Sequence, residues 1–244
     1  MTATGPIVVA HGLSRSFGGH DIVDQVDLQI SGGEVVGLLG PNGGGKSTLL
    51  LLLAGLVRPT SGTVHIQGTP THELALNRAG AVGLITAEPG LYPLLTGREN
   101  LRYFGGLFGC SSADVDARAE PLLRELDIAH DLDRPSSEYS SGMRQKISLA
   151  RALLFEPAVL LLDEPTSNLD PLSTTTIHRA IRHQADRCGV CVVIATHELH
   201  AAEQICDRVV FFQHRIQRID TLEEGGRSMA PTALLAAYSE VFGS

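Results

Sequence analysis

From Glu34 to Thr48 the chain reads Glu34-Val35-Val36-Gly37-Leu38-Leu39-Gly40-Pro41-Asn42-Gly43-Gly44-Gly45-Lys46-Ser47-Thr48. The residues up to Leu39 are apolar enough for a strand buried on both faces, and the apolar run after the glycines predicts a helix from Lys46 to Leu56. Between them, Gly40 to Ser47 has the spacing G-x-x-x-x-G-K-[ST], in the strand–loop–helix context that a phosphate cradle requires. Glycines let successive backbone amides turn inward toward an anion, and the N-terminus of the helix adds partial positive charge. Lys46 is then expected on the β- and γ-phosphates, and the Ser47 hydroxyl on Mg²⁺. The ligand implied is a nucleoside triphosphate, ATP. A glycine-rich turn with an incidental lysine is the competing reading, and the flanking strand and helix argue against it.

Further along, Val159-Leu-Leu-Leu-Asp163-Glu164 is an apolar strand ending in two carboxylates. Alone it reads as a strand edge; together with the cradle, Asp163 becomes a candidate holder of Mg²⁺ and Glu164 a candidate general base for the attacking water.

Working outward, strands are expected at 7–10, 26–30, 63–67 and 81–86, and again at 190–195 and 208–212. Helical periodicity takes over at 99–108, 113–126 and 142–155, with further helices at 172–188 and 199–206. The pattern is an α/β core interrupted by a helical insertion. A short helix is possible after Gly225.

The composition narrows the function. The chain has 244 residues, 43% of them hydrophobic, with a formal charge of −8 and a pI near 5.6. That balance argues against a nucleic-acid binder, which would present a basic face, but leaves room for a local nucleotide site. Lys46 and Lys146 are the only lysines. Cys188 and Cys191 form a C-x-x-C, but Cys191 opens an apolar run, so a buried strand cysteine is expected in place of a metal or redox pair. No leader is evident in residues 1–10, and the longest apolar run is far below the ~20 residues that span a bilayer.

Tyr139-Ser140-Ser141-Gly142-Met143, running into Arg144-Gln-Lys-Ile-Ser-Leu-Ala-Arg151, resembles the signature motif and helix of ABC-type ATPases. Ser167-Asn168-Leu169-Asp170 resembles their D-loop and Thr196-His197 their switch histidine; order and spacing match across about residues 7–215. The resemblance implies a P-loop NTPase (RecA-like) core with an N-terminal antiparallel β subdomain and an inserted α-helical subdomain. It places the ATPase domain at 5–225, with the core at about 5–87 and 157–222, the helical part at about 88–156, and an extension of unknown role at 226–244.

The resemblance also implies a mechanism. Two copies, or a copy and a similar ATPase subunit, pack head to tail with ATP between one cradle and the other's Ser140, Ser141 and Gly142. His197 contacts the γ-phosphate and helps align Glu164, and Asp170 links the two sites. Capping of the following helix is the ordinary role for Ser140 and Ser141, and it is compatible with this one. Phe17 falls where the family stacks an aromatic on adenine, and Ile22 where an apolar residue touches the nucleoside; closing a core edge is the competing role for Phe17.

One position departs from the pattern. The family's Gln after the strand at 81–86 falls on Ala87, which can neither ligate Mg²⁺ nor orient water. Either Glu88 substitutes, or the link between γ-phosphate and partner is weakened; the second is favoured. Pro89-Gly-Leu-Tyr-Pro-Leu-Leu-Thr-Gly-Arg-Glu-Asn-Leu101 and Tyr103 to Phe108 resemble the ATP-binding subunits of bacterial multidrug and ABC-2 type export systems. The resemblance implies a groove at about Glu88–Phe108 for an integral-membrane permease subunit, and work at the cytoplasmic face of the membrane. The alternative is a soluble ABC ATPase acting on another macromolecular assembly.

Overall fold

The computed structural model describes residues 5–77, 80–222 and 231–243. Ten strands form two sheets among the described residues. The first sheet is antiparallel, in the order β2-β1-β4-β5, from β1 (Pro6–Phe17), β2 (His20–Ser31), β4 (Ser61–Ile66) and β5 (Thr69–Pro70). The second has the order β10-β9-β3-β8-β7-β6, from β3 (Val35–Leu39), β6 (Val82–Ile85), β7 (Val159–Asp163), β8 (Cys191–Thr196), β9 (Arg208–Gln213) and β10 (Arg215–Thr221). Its strands are parallel except β10, which runs antiparallel to β9.

The apolar run of β7 explains the layering. Leu160 and Leu162 join the core on one face of the parallel sheet, while Val159 and Leu161 join the core on the other, and all four are fully buried. A strand covered on both faces cannot alternate polar with apolar, which is why it reads as a continuous run. One face carries α1 (Lys46–Leu53) and the antiparallel sheet. The other carries α5 (Ser141–Leu153), α6 (Pro171–Cys188), α7 (Leu199–Ile205) and α8 (Pro231–Phe242). The short helix α2 (Thr71–Asn77) follows β5.

Between β6 and β7 the chain makes α3 (Gly97–Leu107), α4 (Ser112–Glu125) and α5, and no strand lies between them. The first two begin with reciprocal capping boxes, Thr96 with Glu99 and Ser111 with Asp114. Tyr139 ties this helical part together from inside. Its hydroxyl donates to Asp131 O at 2.6 Å and accepts from Gly97 N at 3.2 Å, with the side chain 3% exposed.

Three expectations need correction. The first helix stops at Leu53, not Leu56, because Gly55 turns the chain at a φ of 73°. β1 and β2 run far beyond 7–10 and 26–30; positive φ at Gly12 and Gln25 and register shifts in the pairing interrupt the two-residue period that would have revealed them. β10 was not anticipated: Arg-Ile-Gln-Arg-Ile-Asp-Thr is a largely exposed edge strand. Helix α8 falls where a short helix was considered possible; residues 226–230 and 244 of the proposed extension lie outside the described residues.

Cys191 is the buried strand cysteine expected. Burial pushes its thiol up to about 12, and Cys188 is exposed and unpaired with it.

Candidate nucleotide site

Leu39 ends β3 deep in the core, and the loop after it turns over the ends of β7 and β8 before α1 begins at Lys46. Several glycines are dictated by contact or conformation. A Cβ on Gly40 would sit 1.9 Å from the Phe212 carbonyl oxygen of β9. At Gly45, φ is 91° and a Cβ would meet the Ile22 carbonyl oxygen at 2.3 Å, so both backbone shape and space demand glycine. The β9–β10 turn buttresses the loop from outside: His214 N donates to Gly44 O at 2.7 Å, and Asp24 N donates to His214 O at 2.7 Å. No motif announces this bracing, because it comes from backbone groups of a distant turn.

The loop lines a cavity of about 270 Å³ shared by Ile22, the segment Asn42–Thr48, Ala87, Asp163 and Glu164. The structure thus unites most of the residues expected around the phosphates, and brings Ala87 in with them. Gly40 and Pro41 supply the loop's first turn; their carbonyls accept from Lys46 Nζ at 2.7 and 3.1 Å. Lys46 is 6% exposed. Burial lowers its pKa, while the nearby Glu164 and Asp163 carboxylates work the other way.

Asp163 ends β7 with its carboxylate hydrogen-bonded to the Ser47 hydroxyl. Burial raises its pKa, the Ser47 bond opposes that, Glu164 adds to it and Lys46 opposes it, with a net upward shift. Two oxygen donors in direct contact beside a phosphate loop suit a hard cation that takes its other ligands from phosphate and water. Among the described residues no cluster of His, Cys, Asp and Glu would hold a metal without those phosphates. The residues present therefore fit Mg²⁺ bound with the nucleotide, where it neutralises phosphate charge.

Glu164 adopts a φ of 48°, and its amide donates to Ala195 O at 2.8 Å, which turns the side chain out of the strand line. Its carboxylate is held at both oxygens: Thr196 Oγ1 donates to Oε2 at 3.0 Å, and His197 Nδ1 lies 2.7 Å from Oε1. His197 comes from the end of β8, so two neighbouring parallel strands deliver the acid and its positioning groups to one edge of the cavity. The Thr196 contact was missed in the sequence, since a threonine ending a strand has no distinguishing pattern. Its hydroxyl also accepts from Glu198 N at 3.0 Å, fixing the rotamer that faces Glu164.

Phe17, Ser140, Ser141, Gly142 and Asp170 do not line this cavity. Phe17 ends β1, 46% exposed. Ser140 and Ser141 are exposed at the start of α5, where Ser140 Oγ accepts from Met143 N at 3.2 Å as an N-cap. Asp170 caps α6 by accepting from Leu172 N and Ser173 N at 3.0 and 2.9 Å. The two helix starts touch each other: a Cβ on Gly142 would come within 2.2 Å of Ser173 Oγ and 3.3 Å of an Asp170 carboxylate oxygen. The signature and D-loop residues thus form one surface of their own.

Arg151, on α5, was quoted in the sequence only as part of the signature helix. Its guanidinium donates to Gly90 O at 2.7 Å and Pro89 O at 2.9 Å, and it lies over the Phe104 ring at 4.4 Å. It ties the segment following Ala87 to the helix that Ser140 caps.

A family model described as ABC transporter matches residues 23–167. The chain is 37% identical over 209 residues to the uncharacterised ABC transporter ATP-binding protein YdbJ of Bacillus subtilis, covering 85% of this chain and 67% of that protein. It is 36% identical over 238 residues to the Nod factor export ATP-binding protein I of Paraburkholderia xenovorans, covering 95% and 75%. Among solved structures, an ATP-binding subunit of an ABC transporter superposes with a TM-score of 0.82 at 30% identity, over 96% of this chain and 99% of that one. A dimeric bacterial ABC transporter cassette superposes at 0.80 with 27% identity, over 88% and 99%; a post-hydrolysis dimer bound to ADP and Pi gives 0.79 at 27%, over the same shares. The chain therefore belongs to the ABC transporter ATP-binding family, as a subunit that binds ATP with Mg²⁺ and hydrolyses it.

Proposed function

We propose that this chain powers an export system by closing on a second ATPase subunit around ATP, each cradle completed by Ser140, Ser141 and Gly142 of the other. The observation that carries this reading is the division of the site residues. Lys46, Ser47, Asp163 and Glu164 share a cavity, while Ser140, Ser141 and Asp170 are exposed outside it, with Gly142 buried where the two helix starts meet. A donor surface at the start of α5 that lies outside the cradle's own cavity is available to the γ-phosphate held by a partner.

In the closed pair the roles divide by chemistry. Lys46 and the loop amides from Gly43 to Thr48 hold the phosphates; Ser47 and Asp163 hold Mg²⁺; Ile22 and Phe17 contact the nucleoside. Glu164 accepts a proton from the attacking water, and Thr196 and His197 keep its carboxylate aimed. Asp170 connects the two sites. The functional domain spans about 5–225, with the helical part at about 88–156.

The permease contact is assigned to the surface between Glu88 and Phe108, where Tyr92, Leu94, Tyr103, Leu107 and Phe108 are all exposed. Large apolar side chains left in water on the segment that follows Ala87 suit a helix docking in a groove. No helix among the described residues is long and apolar enough to cross a membrane. The membrane path is assigned to that separate subunit, engaged at the cytoplasmic face. Ala87 lines the cavity with a methyl group where a ligating amide is expected, and Glu88 does not line it. We assign it weakened coupling; an Ala87→Gln variant should change basal or permease-stimulated ATPase rates, and unchanged rates in both would refute the assignment.

The test of the whole reading is affinity purification of the chain from its native membrane with mass spectrometry of what accompanies it. A polytopic membrane protein is expected. Ribosomal or DNA-bound partners alone would overturn it.

A further inference from the structure

Phe17 ends β1, and the chain reverses through Gly18 and Gly19 to His20, which pairs with Phe17 across the hairpin. Both glycines have positive φ, 56° and 83°, as a type I′ turn requires, and a Cβ on either would meet nothing within 4 Å. The backbone conformation, not crowding, calls for them. The phenyl ring is thus carried on a tight, paired hairpin tip.

One face of that ring is covered. The Arg15 guanidinium carbon lies 4.2 Å from the ring centroid, within cation–π range. The guanidinium is itself anchored: Nη1 donates to the Arg58 carbonyl at 3.0 Å, and Nε is buried with no hydrogen-bond partner. A buried guanidinium N–H without a partner is uncommon for a group that water satisfies easily, and here the ring covers the group instead of water. With one face taken and the residue still 46% exposed, Phe17 presents a single open face.

We propose that Arg15 is a positioning residue for the nucleotide base: its guanidinium holds one face of Phe17 and leaves the opposite face as the platform on which adenine stacks. The inference rests on Phe17 being the adenine contact. A phenyl ring presents negative charge on both faces, which opposes face-to-face stacking on another π system. A cation against the rear face draws on that charge and makes the front face a better partner for a flat, electron-rich base. The arrangement recognises the base alone; phosphates are held by the cradle.

The test is calorimetric titration of the full chain with Mg²⁺–ATP and, separately, with inorganic tripolyphosphate and Mg²⁺, which has no base. Arg15→Gln is expected to raise the Kd for ATP about threefold to tenfold, between the worth of an exposed and of a desolvated cation–π contact, with tripolyphosphate affinity unchanged. Phe17→Leu should weaken ATP at least as much, and the double variant no more than Phe17→Leu. Arg15→Lys, which keeps the cation, should recover most of the loss. Equal weakening of ATP and tripolyphosphate in Arg15→Gln would mean a distorted hairpin and would overturn the inference. Unchanged or tighter ATP binding in Arg15→Gln, with Phe17→Leu still weak, would overturn it while leaving the Phe17 assignment intact; tighter binding would mean that Arg15 occupies the face the base needs. If Phe17→Leu binds ATP normally, the Phe17 assignment and this inference fall together.

Discussion

Asp163 has a folded-state pKa raised above the ordinary value of 3.8, chiefly by burial. The folded chain therefore holds that proton more tightly than the unfolded chain does. The resulting penalty on folding is present above the raised pKa and vanishes as pH falls below 3.8. Asp163→Asn should accordingly melt at a higher temperature than the native chain at pH 7.5 in the absence of nucleotide. The gap should close as the pH is lowered through the acid range, read by thermal unfolding at several pH values. The same variant should lose Mg²⁺-dependent ATP hydrolysis, the usual exchange between stability and function at a site built for a ligand. Thr196 offers a second test. Thr196→Val removes one of the two groups holding the Glu164 carboxylate, so kcat should fall by about tenfold, the worth of a hydrogen bond to a charged group, with little change in KM. A matching rise in KM would mean that Thr196 supports binding. Lys46 and Asp163 were legible in the sequence because chemistry fixes their type and spacing, and His197 through the family resemblance. Thr196 and His214 were not, because they act through contacts with residues distant in sequence; nor was Arg15, whose contact with the nearby Phe17 ring depends on how the hairpin folds.

At the scale of elements, the strands and helices that carry a complete period were readable and those that break it were not. β7 declared itself by an unbroken apolar run, and α3, α4 and α5 by helical spacing. β1 and β2 hid most of their length behind bulges, and β10 has few buried side chains with which to signal a strand. Helix α8 is a further case, since it follows a stretch without a motif yet joins the main core. Leu234 is fully buried, and Phe242 lies 6.2 Å from the Phe211 ring of β9. Leu234→Ala should cost about 2–5 kcal/mol in a denaturant titration, the range for emptying a packed leucine site. A loss well below that would mean α8 is only loosely docked. Arg151 works at this scale too: by binding the carbonyls of Pro89 and Gly90 from α5, it fastens the segment after Ala87 to the helix behind Ser140.

For the whole molecule, the residues to which the proposed function assigns catalysis fall on two surfaces. One gathers Lys46, Ser47, Asp163 and Glu164 into a cavity with Thr196 and His197 at its edge. The other displays Ser140 and Ser141 beside Asp170, capping two helices that touch at Gly142 and Ser173. In the proposed reading each γ-phosphate needs both surfaces, so ATP is expected to act as the adhesive between copies and its hydrolysis as the release. The overall acidic charge of −8 makes close approach of two copies unfavourable without a ligand to organise it. The most direct measurement is the molar mass by light scattering of Glu164→Gln, which should bind ATP without turning it over. With Mg²⁺–ATP it should run at twice the 26.0 kDa of one chain, and with ADP at 26.0 kDa. Adding Ser140→Arg, an exposed change on the facing surface, should return it to the single-chain mass with ATP present. A Glu164→Gln chain that stays at 26.0 kDa in saturating Mg²⁺–ATP, or a dimer indifferent to Ser140→Arg, would contradict the account.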